Sequence, residues 1–208
     1  MIYFTSDLHF FNRKALSVGQ RVFGSAQERQ EFLVQQWNGT VGPEDEVYLL
    51  GDSSDGKGEE TGRLLGSLNG RKYLLIGNNE RYLEDPAFDV SVFQWRRQYF
   101  ELKAMGTKFI LFHFPIEVWT GYKKDRIHLH GHLHRVKPVW EPIRRYEVGV
   151  DAHDGRPVSI EEIWEAVKDL HNMDRTVEGV WCDLFELTNE ERRCLGLEER
   201  TGWMKNNI

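Results

Sequence analysis

Ile127-His128-Leu129-His130-Gly131-His132-Leu133-His134 places four of the chain's eight histidines in eight residues. The first half alternates apolar and imidazole side chains, as a short strand does. A glycine then ends the strand, and two histidines follow two positions apart. A chance surface cluster does not explain this density. A strand that delivers imidazoles to a common point does.

Working outward, the same arrangement recurs. Tyr3-Phe4-Thr5 leads into Asp7-Leu8-His9, Val47-Tyr48-Leu49-Leu50 into Gly51-Asp52, and Leu74-Leu75-Ile76 into Gly77-Asn78-Asn79-Glu80. Phe109-Ile110-Leu111-Phe112 leads into His113. Each apolar run ends in a carboxylate, amide or imidazole. In sheets flanked by helices, sites assemble beyond the carboxyl ends of strands, so these ends are expected to converge. Any one piece alone is weak, since Asp-X-His and Gly-Asp are common turns and His113 alone reads as an interior histidine. Their joint placement carries the reading.

The expected strands are Ile2–Thr5, Val47–Leu50, Tyr73–Ile76, Tyr99–Leu102, Phe109–Phe112, Ile127–His130 and Tyr146–Val150. Ser25-Ala26-Gln27-Glu28 has the capping-box pattern and opens a helix with Phe32, Leu33 and Trp37 on one face. Leu64, Leu65 and Leu68 mark a second helix ending near Gly70. Ser159 with Glu162 opens a third, with Ile160, Ile163, Trp164 and Val167 as its stripe. Strand and helix alternate in the first half, which predicts a parallel sheet. The closer strands of the second half predict antiparallel pairing. Residues 1–170 read as one α/β domain, and 171–208 as a partly helical extension packed on it.

Composition bounds the rest. The balance of 27 basic and 33 acidic residues, net −6, argues against a protein that grips long nucleic acid by its phosphates. It leaves room for a small phosphorylated substrate, because bound cations supply positive charge locally. Cys182 and Cys194 make no disulfide framework and read as reduced thiols. The N-terminus lacks a basic stretch followed by an apolar one, and no apolar run reaches membrane-spanning length. The expected location is the cytoplasm, with no membrane contact. Nothing in the sequence sets the oligomeric state.

Carboxylate, amide and imidazole without thiolate suit borderline-hard divalent ions. Asp7, His9, Asp52, Asn78, His113, His132 and His134 are too many for one tetrahedral ion and fit two if a carboxylate bridges. In type and order these residues resemble the calcineurin-like metallophosphoesterase superfamily, whose pattern is Asp-X-His, Gly-Asp, Gly-Asn-His-Asp/Glu, a later His, and Gly-His-X-His. The resemblance runs from residue 1 to about 168, includes Val148-Gly149-Val150-Asp151, and is nearest the small bacterial and phage members. It implies a four-layer α-β-β-α fold, two facing mixed sheets with helices outside. It implies Asp7, His9, Asp52 and His134 around one ion and Asp52, Asn78, His113 and His132 around the other. Mn2+ is the expected ion, with Fe, Zn or Ni as alternatives. Asp52 and a hydroxide would bridge, the hydroxide attacking phosphorus in line.

The chain departs from the pattern at Asn79, where the family has a histidine near the leaving group. An amide has no proton to release near neutral pH, and a positioned general acid is worth roughly 10²–10⁴ in rate. This favours a phosphodiester, or another ester with a good leaving group. A nuclease and a non-catalytic metal-binding scaffold remain as alternatives. Glu80, His130 and His153 are other possible proton sources; His130 also reads as a residue that orients a ligand, and His153 as a surface-loop residue. Asn12, Arg13 and Arg81 are candidate phosphate contacts. Lys123, Lys124 and Arg126 either border the pocket or form a solvated loop. Trp119 reads as core and Tyr122 as core or a base-stacking residue. Trp181 and Trp203 cap the core or form an oligomer contact.

Overall fold

The chain begins with β1 (Ile2–Thr5), followed by a small hairpin of β2 (Ser17–Val18) and β3 (Arg21–Val22). Helix α1 (Ala26–Thr40) starts at Ser25, whose hydroxyl accepts the Glu28 N–H at 3.1 Å. The returning carboxylate of Glu28 takes the N–H of Gly24 instead of Ser25, at 2.8 Å, so the box closes one residue early. Then come β4 (Glu46–Leu49), α2 (Gly58–Ser67), β5 (Arg71–Leu75), β6 (Phe93–Arg97), β7 (Tyr99–Ala104) and β8 (Thr107–Phe112). Strands β9 (Ile127–His130), β10 (Arg145–Glu147) and β11 (Val158–Ser159) precede α3 (Ile160–Val167). At α3 the expected box closes fully: Glu162 N–H to Ser159 Oγ is 3.2 Å, and Ser159 N–H to Glu162 Oε2 is 3.0 Å. This computed structural model describes residues 1–136 and 143–172. Most of the expected C-terminal extension, with Trp181, Cys182, Cys194 and Trp203, lies outside the described residues.

Two sheets carry the molecule. The first has the order β11-β1-β4-β5-β6, with β1, β4, β5 and β6 parallel, as the alternation of strand and helix requires. The second has the order β10-β9-β8-β7. Only the β7–β8 pair is antiparallel there; β8–β9 and β9–β10 are parallel, which corrects the expectation for the second half. The connection over residues 113–126 is long enough to bring the chain back to the start of β8 before β9 begins, and that is what a parallel neighbour needs. Because β8 and β9 run the same way, both end at the same side. Strand β6 also went unforeseen, since Gln94, Arg96 and Arg97 break the apolar run of an edge strand.

One face of the first sheet packs against α1 and α2 through Leu33, Trp37, Val47, Leu49, Leu65 and Leu74. The other face meets the second sheet through Phe4, Tyr48 and Leu75 against Phe109, Leu111 and Leu129. Phe4 stacks between Tyr48 and Phe109, with ring centroids 5.6 and 6.2 Å away. Helix α3 adds Ile160, Ile163 and Val167 to this inter-sheet core. On the outer face of the second sheet, Ile110, Trp119 and Ile143 form a small cluster under the 113–126 connection. Among the described residues, no α-helix contributes to that cluster. Trp119 is therefore core, as expected, and Tyr122 packs edge-on against it at 4.8 Å.

Candidate metal centre

The carboxyl ends of β1, β4, β5, β8 and β9 deliver the polar residues to one place. Past their strand ends, the first two motif loops continue to pair: Asp7 N–H meets Gly51 O at 3.0 Å, His9 N–H meets Asp52 O at 3.0 Å, and Phe10 N–H meets Ser53 O at 3.1 Å. In the second sheet Gly131 N–H ties the β9 end to His113 O at 2.9 Å, and His132 N–H joins this end to Asp7 Oδ2 at 2.9 Å. Ligand atoms of Asp7, His9 and His134 lie within 4.8 Å of one another, and so do those of Asp7, Asp52 and His113. Asp7 is common to the two groups. Asp52 spans them, with Oδ2 3.4 Å from His9 Nε2 and Oδ1 3.5 Å from His113 Nε2. Asn78 Oδ1 is 2.9 Å from His113 Nε2, and the His132 ring stands edge-on to His113 at 5.2 Å. Asp7, His9, Asp52 and His113 form a buried floor, while Asn78 and His134 are exposed at the rim.

Three of the histidines have their other ring nitrogen occupied. His9 Nδ1 meets Asp55 Oδ2 at 2.9 Å, His134 Nδ1 meets Asp151 Oδ2 at 2.8 Å, and His113 Nδ1 meets the Leu50 carbonyl at 2.7 Å. An acceptor at Nδ1 fixes the tautomer that leaves Nε2 with a free lone pair, the arrangement of metal-ligating histidines. Two carboxylates and three imidazoles gathered in this way, with Asn78 and His132 beside His113 and no thiolate among them, fit divalent cations.

Burial is the largest influence on Asp7 and pushes its carboxyl upward, against the Ser6 hydroxyl at 2.6 Å and the nearby His134 and His113. The bond to Asp151 raises His134 above its ordinary value, against its burial. For Asp151, burial acts upward, but the bonds from His134 and the Gly19 N–H bring it below the ordinary carboxylate value. Glu80 is buried and accepts from Ser53 N–H at 3.1 Å and Ser53 Oγ at 2.8 Å, so it buckles the Asp52–Ser53 loop to the Asn78–Glu80 loop. Its burial pushes it up to about 7.

Asn79 turns inward. Its backbone N–H donates to Asp52 Oδ1 at 2.9 Å and its side-chain amide to Asp52 Oδ2 at 2.7 Å. Arg13 and Arg81 are exposed. Asn12 closes its own turn, with Oδ1 accepting the Lys14 and Ala15 N–H groups and Nδ2 donating to Asp55 at 3.0 Å. His130 is buried with Nδ1 2.9 Å from Gly131 O. His153, expected on a surface loop, is buried instead: its Nε2 lies 2.8 Å from Glu147 O and its ring stacks on Tyr146. Sequence reasoning missed Asp55 and gave Asp151 no role, although Asp151 stands in the Val148-Gly149-Val150-Asp151 phrase. Asp55 follows Gly51-Asp52 by three positions, and that proximity was the available signal.

Two facing sheets whose strand ends gather a carboxylate–imidazole cluster define a candidate site for divalent cations. The chain belongs to the calcineurin-like phosphoesterase family, which it matches over residues 1–183. It is 31% identical to the gene 66 protein of Mycobacterium phage D29 over 199 residues, covering 81% of this chain and 96% of that one. An uncharacterised protein of Methanocaldococcus jannaschii is 29% identical over 173 residues, 80% of this chain and 91% of its own. A crystal structure of a protein of unknown function from Aquifex aeolicus superposes with a TM-score of 0.60 at 22% identity. It covers 80% of this chain and 99% of that one, a likeness of fold.

Proposed function

We propose that the protein is a phosphodiesterase working with two divalent cations, Mn2+ first among them. One is held by Asp7, His9, Asp52 and His134, the other by Asp52, Asn78, His113 and His132. Such cations supply charge neutralisation at the phosphoryl oxygens and activation of a water nucleophile. The chain's own residues position and exclude. Leu50 O directs Nε2 of His113 toward Asp52 and Asn78. Asn79 steadies the Asp52 carboxylate from two sides, and Glu80 locks the two loops together. No side chain is assigned as nucleophile. Arg13 and Arg81 are the proposed phosphate contacts, and the substrate is a small or nucleotide-like ester.

The observation that carries the diester preference is Asn79. Its backbone N–H and its side-chain amide each donate to Asp52, and an amide brings no acidic proton to a leaving group. Esters whose leaving group departs without protonation are then the substrates that suffer least. The test is hydrolysis of nitrophenyl monoester and bis-nitrophenyl diester with Mn2+, Ni2+, Zn2+ and Mg2+, using Asp52→Asn as control. Diester turnover is expected to exceed monoester turnover and to vanish in Asp52→Asn. Much faster monoester hydrolysis would sink the diester reading. Metal binding without turnover would favour a scaffold, and degradation of single-stranded DNA or RNA a nuclease. Asn79→His is expected to raise monoester activity selectively.

A further inference from the structure

Arg29 is buried at 3% exposure in α1, where an unpaired cation would be costly. Two of its guanidinium nitrogens donate to backbone carbonyls around the first motif loop. Nε donates to Ser17 O at 2.9 Å, and Nη1 donates to Leu8 O at 2.8 Å, with His9 O at 3.5 Å. It therefore grips the backbone of the loop that carries Asp7 and His9, and the β2–β3 hairpin beside it. Arg29 also lies in the field of two carboxylates, Asp151 and Asp55. These are the carboxylates bonded to Nδ1 of His134 and of His9. The hairpin closes the arrangement: Gly19 N–H donates to the other oxygen of Asp151 at 2.9 Å. Gly19 has φ +56°, and a Cβ there would stand 2.7 Å from the Asp151 carbonyl oxygen, so the hairpin's tip is fitted to this neighbour.

The two histidines concerned belong to one proposed cation position. His113, in the other position, is held by a neutral carbonyl instead. We propose that Asp55 and Asp151 are positioning residues that set the tautomer and direction of His9 and His134, and that buried Arg29 is a third, pinning the Leu8–His9 backbone between them. The inference rests on the metal-centre reading for its consequence. The chain's geometry alone supplies its first claim, that the His134 proton sits on Nδ1.

Asp151→Asn separates this role from a structural one. An asparagine keeps the shape of the side chain, but one arm becomes a donor. If that arm faces His134, the imidazole must accept at Nδ1 and carry its proton on Nε2, the nitrogen needed for the cation. If the amide turns over, its NH2 faces the Gly19 N–H and that bond is lost. Loss of such an orienting partner weakens metal affinity by roughly 10–100-fold. The experiment titrates Zn2+ and Mn2+ calorimetrically into the full chain, its Asp151→Asn variant and its Arg29→Lys variant, with circular dichroism to establish folding. Long-range proton–nitrogen NMR on the imidazoles, without metal and with Zn2+, reads the tautomers.

The wild type is expected to show the His134 proton on Nδ1. Asp151→Asn is expected to bind the first ion at least tenfold more weakly while remaining folded. Arg29→Lys, which keeps the charge but not the fork of donors, is expected to weaken it in the same direction; should it fail to fold, Asp151→Asn decides. Equal affinity in folded Asp151→Asn, or a neutral wild-type His134 with its proton on Nε2, would overturn the proposal. A wild type that bound neither ion would remove the metal-centre reading, while the metal-free tautomer would still judge the positioning claim by itself.

Discussion

Adding one methyl group at Gly131 tests how tightly the two sheets are locked at the site. A Cβ built there would overlap Ser6 Oγ, and would stand 2.5 Å from Asp7 Oδ2 and 2.6 Å from Ser6 Cβ. Ordinary contact begins near 3.4 Å, so Asp7 or residue 131 must retreat by about 0.9 Å (3.4 − 2.5). Neither Ser6 nor Asp7 has exposed surface to move into, and the Asp7 carboxylate is bonded to Ser6 Oγ and His132 N–H. Overpacking of this kind costs about 1–3 kcal/mol. A displacement near 1 Å in catalytic geometry costs on the order of 10²-fold in rate. Gly131→Ala is thus expected to fold, to lose about 1–3 kcal/mol in urea unfolding, and to hydrolyse a nitrophenyl diester roughly a hundredfold more slowly at saturating Mn2+. Gly39→Ala and Gly66→Ala supply the contrast, because both are exposed in helices with nothing within 4 Å of the new methyl. There the same change is expected to stabilise by about 0.5–1 kcal/mol, with unchanged activity. A Gly131→Ala protein matching the wild type in both stability and rate would refute the reasoning.

Glu162 is held down to about 2, first by its bond with Arg156 and then, against burial, by the Ser159 N–H. Its folded value lies below the unfolded one, so its contribution is complete above about pH 4.5 and disappears as pH falls toward 2. Since Glu162 is partly exposed, Glu162→Gln should cost only about 0.5–1 kcal/mol near pH 7. Urea titrations at several pH values should show that gap closing in acid; a constant gap would be the wrong outcome. Burial, the largest influence, holds His128 down to about 3 against an ordinary 6.5. The unfolded chain therefore takes up a proton first, and stability should fall as pH drops from about 6.5 toward 3. His128→Gln should flatten that slope, and an unchanged slope would assign it to other groups. Mn2+ at about a hundred times its dissociation constant should raise unfolding free energy by about 2.7 kcal/mol, seen as a higher melting temperature that is lost in Asp52→Asn. Equal shifts in both proteins would place the ion elsewhere.

The candidate metal-centre cluster and the strands that carry it were legible because each motif combines an apolar run with a polar terminus. α1 and α3 were legible through Ser25 and Ser159, which cap them. What escaped has physical reasons. The parallel β8–β9 pairing depends on where the 113–126 connection carries the chain, and no local pattern records that. β6 hides behind its arginines. Asp55, Asp151 and Arg29 were not singled out because carboxylates and arginines are ordinarily surface residues; only the fold reveals them turned toward the histidines. In the sequence Asn79 stands only as a missing acid. Its bonds to Asp52 add a second role, that of bracing a carboxylate.

The backbone of the site explains why spacing alone could not give its geometry. Asp7 and His9 are two residues apart, as are His132 and His134. In an extended strand such residues share a face but stand about 6.6 Å apart. Ligand atoms of Asp7, His9 and His134 nevertheless lie within 4.8 Å of one another. The chain closes that distance by turning left-handed: φ is +59° at Asp7, +43° at His9, +54° at Asp52, +73° at His132 and +49° at His134. Among the described residues, these are five of the nine non-glycine positions with positive φ. Each costs on the order of 1 kcal/mol for an ordinary side chain. Such strain persists only where surroundings over-determine it, and here they do. Asp7 and His9 are pinned by the Gly51 and Asp52 carbonyls, His132 by the Asp7 carboxylate, and Asp52 by Asn79. The pinning groups come from neighbouring motif loops, so no single loop can hold its strained residue alone. Loosening any one of them should therefore disturb the others, which makes the five strand ends one cooperative unit.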